Sequence, residues 1–487
     1  MTPTEPGAAP ATTGPTSDPP DVGTFGGLRQ SSWRPSTVAE EIRRNAAALI
    51  AAGRPLVTGV QGFEDTVLPQ LENAVLAGHD IILLGERGQA KTRLIRSLVG
   101  LLDEWLPVVA GSEINDDPFH PVSRYAKNLL AEVGEDLPVA WVHRSERYGE
   151  KLATPDTSIA DLIGEVDPIR VAEGRYLSDE LTLHYGLVPR LNRGIFAVNE
   201  LPDLAERIQV GLLNVLEERD VQIRGHRVRL PLDIVLVATA NPEDYTNRGR
   251  IITPLKDRFG AQIRTHYPPD TETELAIARS EAQLPTDVEG LPRVVVPEFM
   301  AEVVAELSQL ARESPHLNQR SGVSVRLTIA NYETLVANAS RRALRNGEPE
   351  AAPRISDLQA LVASTQGKVE VESLEEGREE VLLSQLISAA VLTVFRRRVV
   401  LDDPKAIVAA FEEQTVVHAG DDLPSAAYAD ILTRLPVLAG PVGRLSGGAE
   451  DAAVVASAVE FLLEGLHLTK RLNKEAVGGR ATYRGRG

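Results

Sequence analysis

Three runs of the chain are short, apolar and rich in β-branched residues, and each stops abruptly at polar ones: DIILLGE (80–86), GIFAVNE (194–200) and DIVLVATAN (233–241). Runs of this length without polar alternation fit strands buried on both faces, as in a parallel sheet covered by helices. A helical pattern, AKTRLIRSLVGLLDEW, follows the first run, and the region from about 55 to 270 is expected to be α/β. In open sheets of this kind ligands bind beyond the carboxyl ends of the strands. The polar residues that close each run are therefore the first place to look for chemistry.

The first run opens into GERGQAKT, Gly85 to Thr92. In the pattern G-x-x-x-x-G-K-[ST], small residues let backbone N–H groups close around phosphates; the lysine reaches the β- and γ-phosphates and the hydroxyl binds Mg²⁺. The reading assigns Gly85, Glu86, Arg87, Gly88, Gln89, Ala90, Lys91 and Thr92 to ATP, with Thr92 also on the magnesium ion. Ala90 stands where the last glycine belongs, and a methyl group is tolerated if that residue keeps helical dihedrals. The plainer alternative is a strand-to-helix turn with a surface Lys91.

Other strand ends add to the loop. Glu200 is placed to polarise an attacking water as general base; the alternative is a carboxylate favoured by a helix N-terminus. Asn241 can orient that water, or can be a turn residue before Pro242. Arg258, in ITPLKDRFG, has no phosphate of its own and fits a finger reaching a neighbouring subunit's nucleotide; its alternative is a salt bridge with Asp257. Arg326, in GVSVRLTIAN, opens a helix and can reach a γ-phosphate from a lid. Asn199 occupies the position before Glu200 where a magnesium-contacting Asp is usual. An amide oxygen still accepts a hydrogen bond from a metal-bound water, so hydrolysis is expected to survive with Mg²⁺ held more loosely.

Elsewhere the chain is read in outline. Residues 1–36, rich in Pro, Gly, Thr and Ala, are expected to form a disordered leader. Leu204, Ile208, Leu212 and Val215 share a helical face, and VQIRGHRVRL reads as a hairpin about Gly225. Phe299, Val303, Leu307 and Leu310 form one helical stripe; Leu383, Leu386, Ala390 and Val394 form another. The segment 105–150 is polar and irregular. Asp116, Asp117 and His120 in NDDPFHP contain metal-ligating types, but a Pro-rich loop accounts for them as well. With 69 acidic against 51 basic residues, a formal charge of −18 argues against nucleic acid as main partner, and the Gly/Arg-rich tail is expected to be a solvated, disordered end. The chain has no cysteine, and no apolar run of about 18 residues predicts a membrane span. A cytoplasmic location fits.

Taken in order, GERGQAKT, ATPDTSIADLIGE, LTLHYGLVPRLNRGIFAVNE, LLNVLEERDVQIRGHRVRLP, ATANPED and TPLKDRFG, spread over about 56–345, resemble the AAA+ ATPases of the magnesium chelatase subunit I and MoxR clade. The resemblance implies an α/β AAA+ P-loop core, a parallel sheet flanked by helices, followed by an α-helical lid and a helical C-terminal extension. Expected boundaries are 37–280 for the nucleotide-binding domain with its 105–150 insertion, 281–400 for the lid, 401–475 for the extension and 476–487 for the tail. It implies Lys91 and Thr92 as Walker A, Glu200 as the Walker B acid, Asn241 as sensor 1, Arg258 as finger and Arg326 as sensor 2. MoxR-like proteins usually show Ser-Pro-Arg where this chain has Ser324-Val325-Arg326. It also implies a homo-oligomeric ring, usually hexameric, and a von Willebrand factor A domain partner. The function so implied is a chaperone-like ATPase remodelling a partner complex. The alternatives are a true chelatase subunit inserting Mg²⁺ into protoporphyrin IX, and a nucleotide-dependent scaffold with little turnover.

Overall fold

The three apolar runs become adjacent or near-adjacent strands of one sheet. The computed structural model describes residues 17–166, 183–218, 221–223, 226–228, 230–241, 250–285, 288–318, 322–370, 378–412, 415–477 and 479–485. The chain divides into two compact units, one up to His266 and one from Tyr267 onward.

The first unit runs through helices α1 (Phe25–Gln30), α2 (Val38–Ala51) and α3 (Val67–Ala77), strand β1 (Ile81–Leu84), helix α4 (Lys91–Ser97), strand β2 (Trp105–Val109) and helix α5 (Arg124–Val133). It continues with β3 (Val139–His143), β4 (Tyr148–Leu152), β5 (Gly164–Val166), β6 (Leu183–Tyr185), β7 (Gly194–Asn199), β8 (Val221–Ile223), β9 (His226–Val228), β10 (Ile234–Ala240) and β11 (Ala261–Arg264). The main sheet is parallel throughout, in the order β11–β1–β10–β7–β4. Every residue of β1, β7 and β10 is buried, because side chains alternate between two covered faces. Ile82, Phe196, Val198 and Leu236 pack with Leu204, Ile208, Leu212 and Val215 on one side. Ile81, Leu83, Ile195 and Val237 pack with Ile42, Leu71 and Leu94 of α2, α3 and α4 on the other. Beneath the sheet, the fully buried Arg147 donates to Glu41 at 2.7 and 2.6 Å and to the Arg193 carbonyl, tying α2 to the strands. Strands β8 and β9 form the expected hairpin; Gly225 lies outside the described residues.

Three expectations change. The leader is ordered from residue 17: Leu28 is fully buried, and Phe25 and Trp33 contact the Phe119 ring at 5.0 and 5.6 Å. A few apolar anchors outweigh the Pro/Gly-rich average there; residues 1–16 lie outside the described set. Segment 105–150 is not irregular, for β2 and β3 pair antiparallel around α5, and β4 joins the main sheet. Asp116, wholly buried, accepts from the backbone N–H groups of Val122 and Ser123 and from two serine hydroxyls, so it organises its own loop.

The second unit is mainly helical. Helices Glu298–Glu313 and Arg378–Arg398 carry the two expected stripes, with Phe299, Val303, Leu307, Leu383, Ala390 and Val394 buried. The third change lies at its end. The Gly/Arg-rich tail is structured, since Asn473–Val477 and Arg480–Arg484 pair antiparallel and Val417–Gly420 extends the sheet. Tyr483 is buried and donates to Glu464 at 2.6 Å, and burial holds its phenol well above the ordinary value. No described helix is long and apolar enough to cross a membrane.

Candidate nucleotide site

Strand register brings the candidate residues together. Leu84 lies opposite Ala240, and Ala238 opposite Val198, so the ends of β1, β10 and β7 are level. The loop beginning at Gly85, the residue Asn241 and the residue Glu200 therefore emerge side by side at one carboxyl edge.

Gly85 is required by packing, since a Cβ there would collide with the Thr265 hydroxyl and the Gln89 side-chain oxygen. Its N–H donates to the Ala240 carbonyl at 3.0 Å, pinning the loop to β10. The buried Gln89 accepts from the Glu86 N–H at 3.0 Å and from the Thr265 hydroxyl at 2.8 Å. Gln89 thus shapes the loop from within. Lys91 is buried, and its ammonium donates to the carbonyls of Gly85 and, at 2.8 Å, of Glu86. Thr92 follows, half-buried, in the first turn of α4.

Ala90 does not keep helical dihedrals. It is the residue before α4, with φ +52° and ψ +15°, in the left-handed region. The chain must turn there to start the helix at Lys91, and an L-residue in that conformation costs about 1–2 kcal/mol. Ala90→Gly removes that strain but also loosens the unfolded chain. The expected outcome is a gain of up to about 1 kcal/mol, read as a higher melting temperature without nucleotide.

Glu200 is also left-handed, at φ +56°, and its N–H donates to the Thr239 hydroxyl at 3.0 Å. Asn241 is buried just past β10. Asn199 is 9% exposed: its amide nitrogen donates to Glu150 on β4, and its carbonyl oxygen accepts from Thr239 at 3.3 Å. Glu150 escaped the sequence reading, because only strand pairing carries it to Asn199. Its carboxylate also accepts from Arg96 at 2.8 and 3.2 Å and from the Tyr148 hydroxyl at 3.0 Å. Burial raises the Glu150 pKa, but the hydrogen bonds from Arg96 and Tyr148 outweigh it and hold the carboxyl below its ordinary value. Burial pushes the Tyr148 phenol up.

Two candidates belong to other elements. Arg258 ends a short helix, Thr253–Arg258, and pairs with Glu217 rather than with Asp257; its side chain is 46% exposed. Arg326 is the exposed first residue of helix Arg326–Asn346, in the second unit.

The assembled donor set is an ammonium, a hydroxyl, an amide, a carboxylate and a loop of backbone N–H groups. That set fits a polyphosphate with a hard, oxygen-seeking cation such as Mg²⁺. The fold is a five-stranded parallel sheet flanked by helices, with a glycine-bearing loop after its first strand and a helical region following in the chain. The chain matches no family model. It is 28% identical over 233 residues to magnesium-chelatase subunit ChlI of Nostoc sp., covering 46% of this chain and 58% of that protein. It is likewise 28% identical over 249 residues to the magnesium-chelatase 38 kDa subunit of Rhodobacter capsulatus, covering 49% and 64%. A cryo-EM-based structure of the BchI–BchD complex of magnesium chelatase aligns at 22% identity over 68% of this chain and 100% of that one, with a TM-score of 0.34. The chain spans between about half and two thirds of the length of these curated relatives. It is a distant homologue of the AAA+ ATPases of magnesium chelatase subunit I.

Proposed function

We propose that the protein binds ATP with Mg²⁺ at this sheet edge and hydrolyses it. The observation that carries the reading is the register that sets the Lys91 loop, Asn241 and Glu200 side by side. In it, backbone N–H groups of residues 87–90 and Lys91 hold the phosphates, while Thr92 and Asn199 would face the magnesium ion. Magnesium supplies charge neutralisation on the phosphate oxygens when bound. Glu200 takes the proton of the attacking water and Asn241 orients that water. Arg258 serves a neighbouring subunit's nucleotide in a ring. Turnover would alternate two conformations of the assembly and so remodel a bound partner, for which a von Willebrand factor A domain protein is our candidate.

A narrower reading, a subunit of a magnesium-inserting enzyme, is favoured by the names of the relatives, which share roughly 28% identity with about half of this chain. Both readings share the first test. Lys91→Ala removes charged hydrogen bonds to phosphate, and a fluorescent ATP analogue is expected to bind about 10–100-fold more weakly to it than to wild type. Equal affinity of the two proteins would exclude the site.

A further inference from the structure

The side-chain hydrogen bonds around Asn199 run toward one acceptor. The Glu200 N–H donates to Thr239, Thr239 donates to the Asn199 carbonyl oxygen, and the Asn199 amide nitrogen donates to Glu150. Arg96 closes the line from the far side. Because an ionised carboxylate only accepts, the amide orientation of Asn199 is fixed by chemistry: nitrogen to Glu150, oxygen to Thr239. Glu150 lies opposite Ala197 in the β4–β7 register, two residues from the Asn199 position and on the same face. Arg96 belongs to α4, one turn beyond Thr92 and on its face of the helix. The line therefore joins the helix that follows the phosphate loop to the left-handed backbone of Glu200.

We propose that Glu150 is a positioning residue of the nucleotide site and that Asn199 and Glu150 are an acid–amide pair with the two groups exchanged between strands. The negative charge absent from position 199 sits one strand over. Asn199 is then not a weakened aspartate. An aspartate in its place has no N–H to give Glu150, so two acceptors would face each other between β7 and β4. Combining Asn199→Asp with Glu150→Gln restores a donor facing an acceptor between the strands, and loses one of the two Arg96 bonds, because Arg96 Nη2 and the Asn199 amide share one Glu150 oxygen. The new amide on β4 donates its N–H to the new carboxylate on β7 and accepts from Arg96 through its carbonyl oxygen, while that carboxylate accepts from Thr239.

The role rests on the proposed ATP–Mg²⁺ reading, so one readout is independent of it. Asn199→Asp, Glu150→Gln and the double variant of the full chain are compared by melting without nucleotide, and by binding of a fluorescent ATP analogue with Mg²⁺ or with EDTA. Asn199→Asp is expected to melt several degrees lower and to lose about tenfold in Mg²⁺-dependent affinity, with the double variant returning to within about threefold of wild type. Glu150→Gln alone keeps an acceptor and falls between. Tighter Mg²⁺-dependent binding by Asn199→Asp would overturn the proposal, as would a double variant no better than Asn199→Asp. Recovery of melting without recovery of Mg²⁺-dependent binding would overturn the positioning role. A wild type that binds no nucleotide would refute the ATPase reading, while the melting cycle would still decide whether the two residues are an exchanged pair.

Discussion

Glu200→Gln is expected to lower ATP turnover by about 10²–10⁴-fold, or roughly 3–5 kcal/mol of barrier, with MgATP affinity changed only a few-fold. The substitution keeps size and hydrogen bonding but replaces the oxygen that would accept a proton from water. Its backbone consequences are small by construction. Glu200 sits at φ +56° and is held by its N–H bond to Thr239, which a glutamine makes equally well. The phosphate loop has its own supports, so Lys91 keeps its carbonyl partners Gly85 and Glu86. Phosphate release under saturating ATP, alongside analogue binding, separates the two effects. Turnover within about threefold of wild type would remove Glu200 as the base. A loss of affinity equal to the loss of turnover would assign it a binding role instead.

Much of this site was legible because burial leaves a plain mark in sequence. Residues of β1, β7 and β10 read as two-faced strands since no charged residue interrupts them, and the point where polarity returns is the strand end where ligands bind. What escaped depends on geometry that residue types do not encode. Ala90 reads as helical by composition, yet the start of α4 at Lys91 forces it into the left-handed region. Glu150 is 49 residues from Asn199 in sequence and meets it only through the β4–β7 register. The leader and tail were misread for a related reason. Average composition favours disorder in both, while single anchors such as Leu28 and Tyr483, each almost wholly buried, decide where the chain lies.

Arg258→Ala is expected to leave nucleotide affinity near wild type and to reduce turnover by about 10³–10⁵-fold in the assembled protein, if the guanidinium completes a neighbour's site. Its present partner makes the exchange cheap. The Arg258–Glu217 pair is half-exposed on both sides, and such pairs contribute only about 0–1 kcal/mol. A triphosphate offers a charge-dense, bidentate alternative that arginine suits better than lysine does. Action between subunits has a signature that action within one subunit lacks. Subunits carrying Arg258→Ala retain Glu200, and subunits carrying Glu200→Gln retain Arg258, so each preparation alone is inactive. Mixed rings contain interfaces where an intact Glu200 faces an intact Arg258 from the neighbour, about one interface in four when the two are mixed equally. Activity is therefore expected to return on mixing and to follow the product of the two fractions. Mixed assemblies that stay inactive, with subunit exchange verified by fluorescence transfer, would place Arg258 outside any shared site and leave its ion pair with Glu217 as a surface contact.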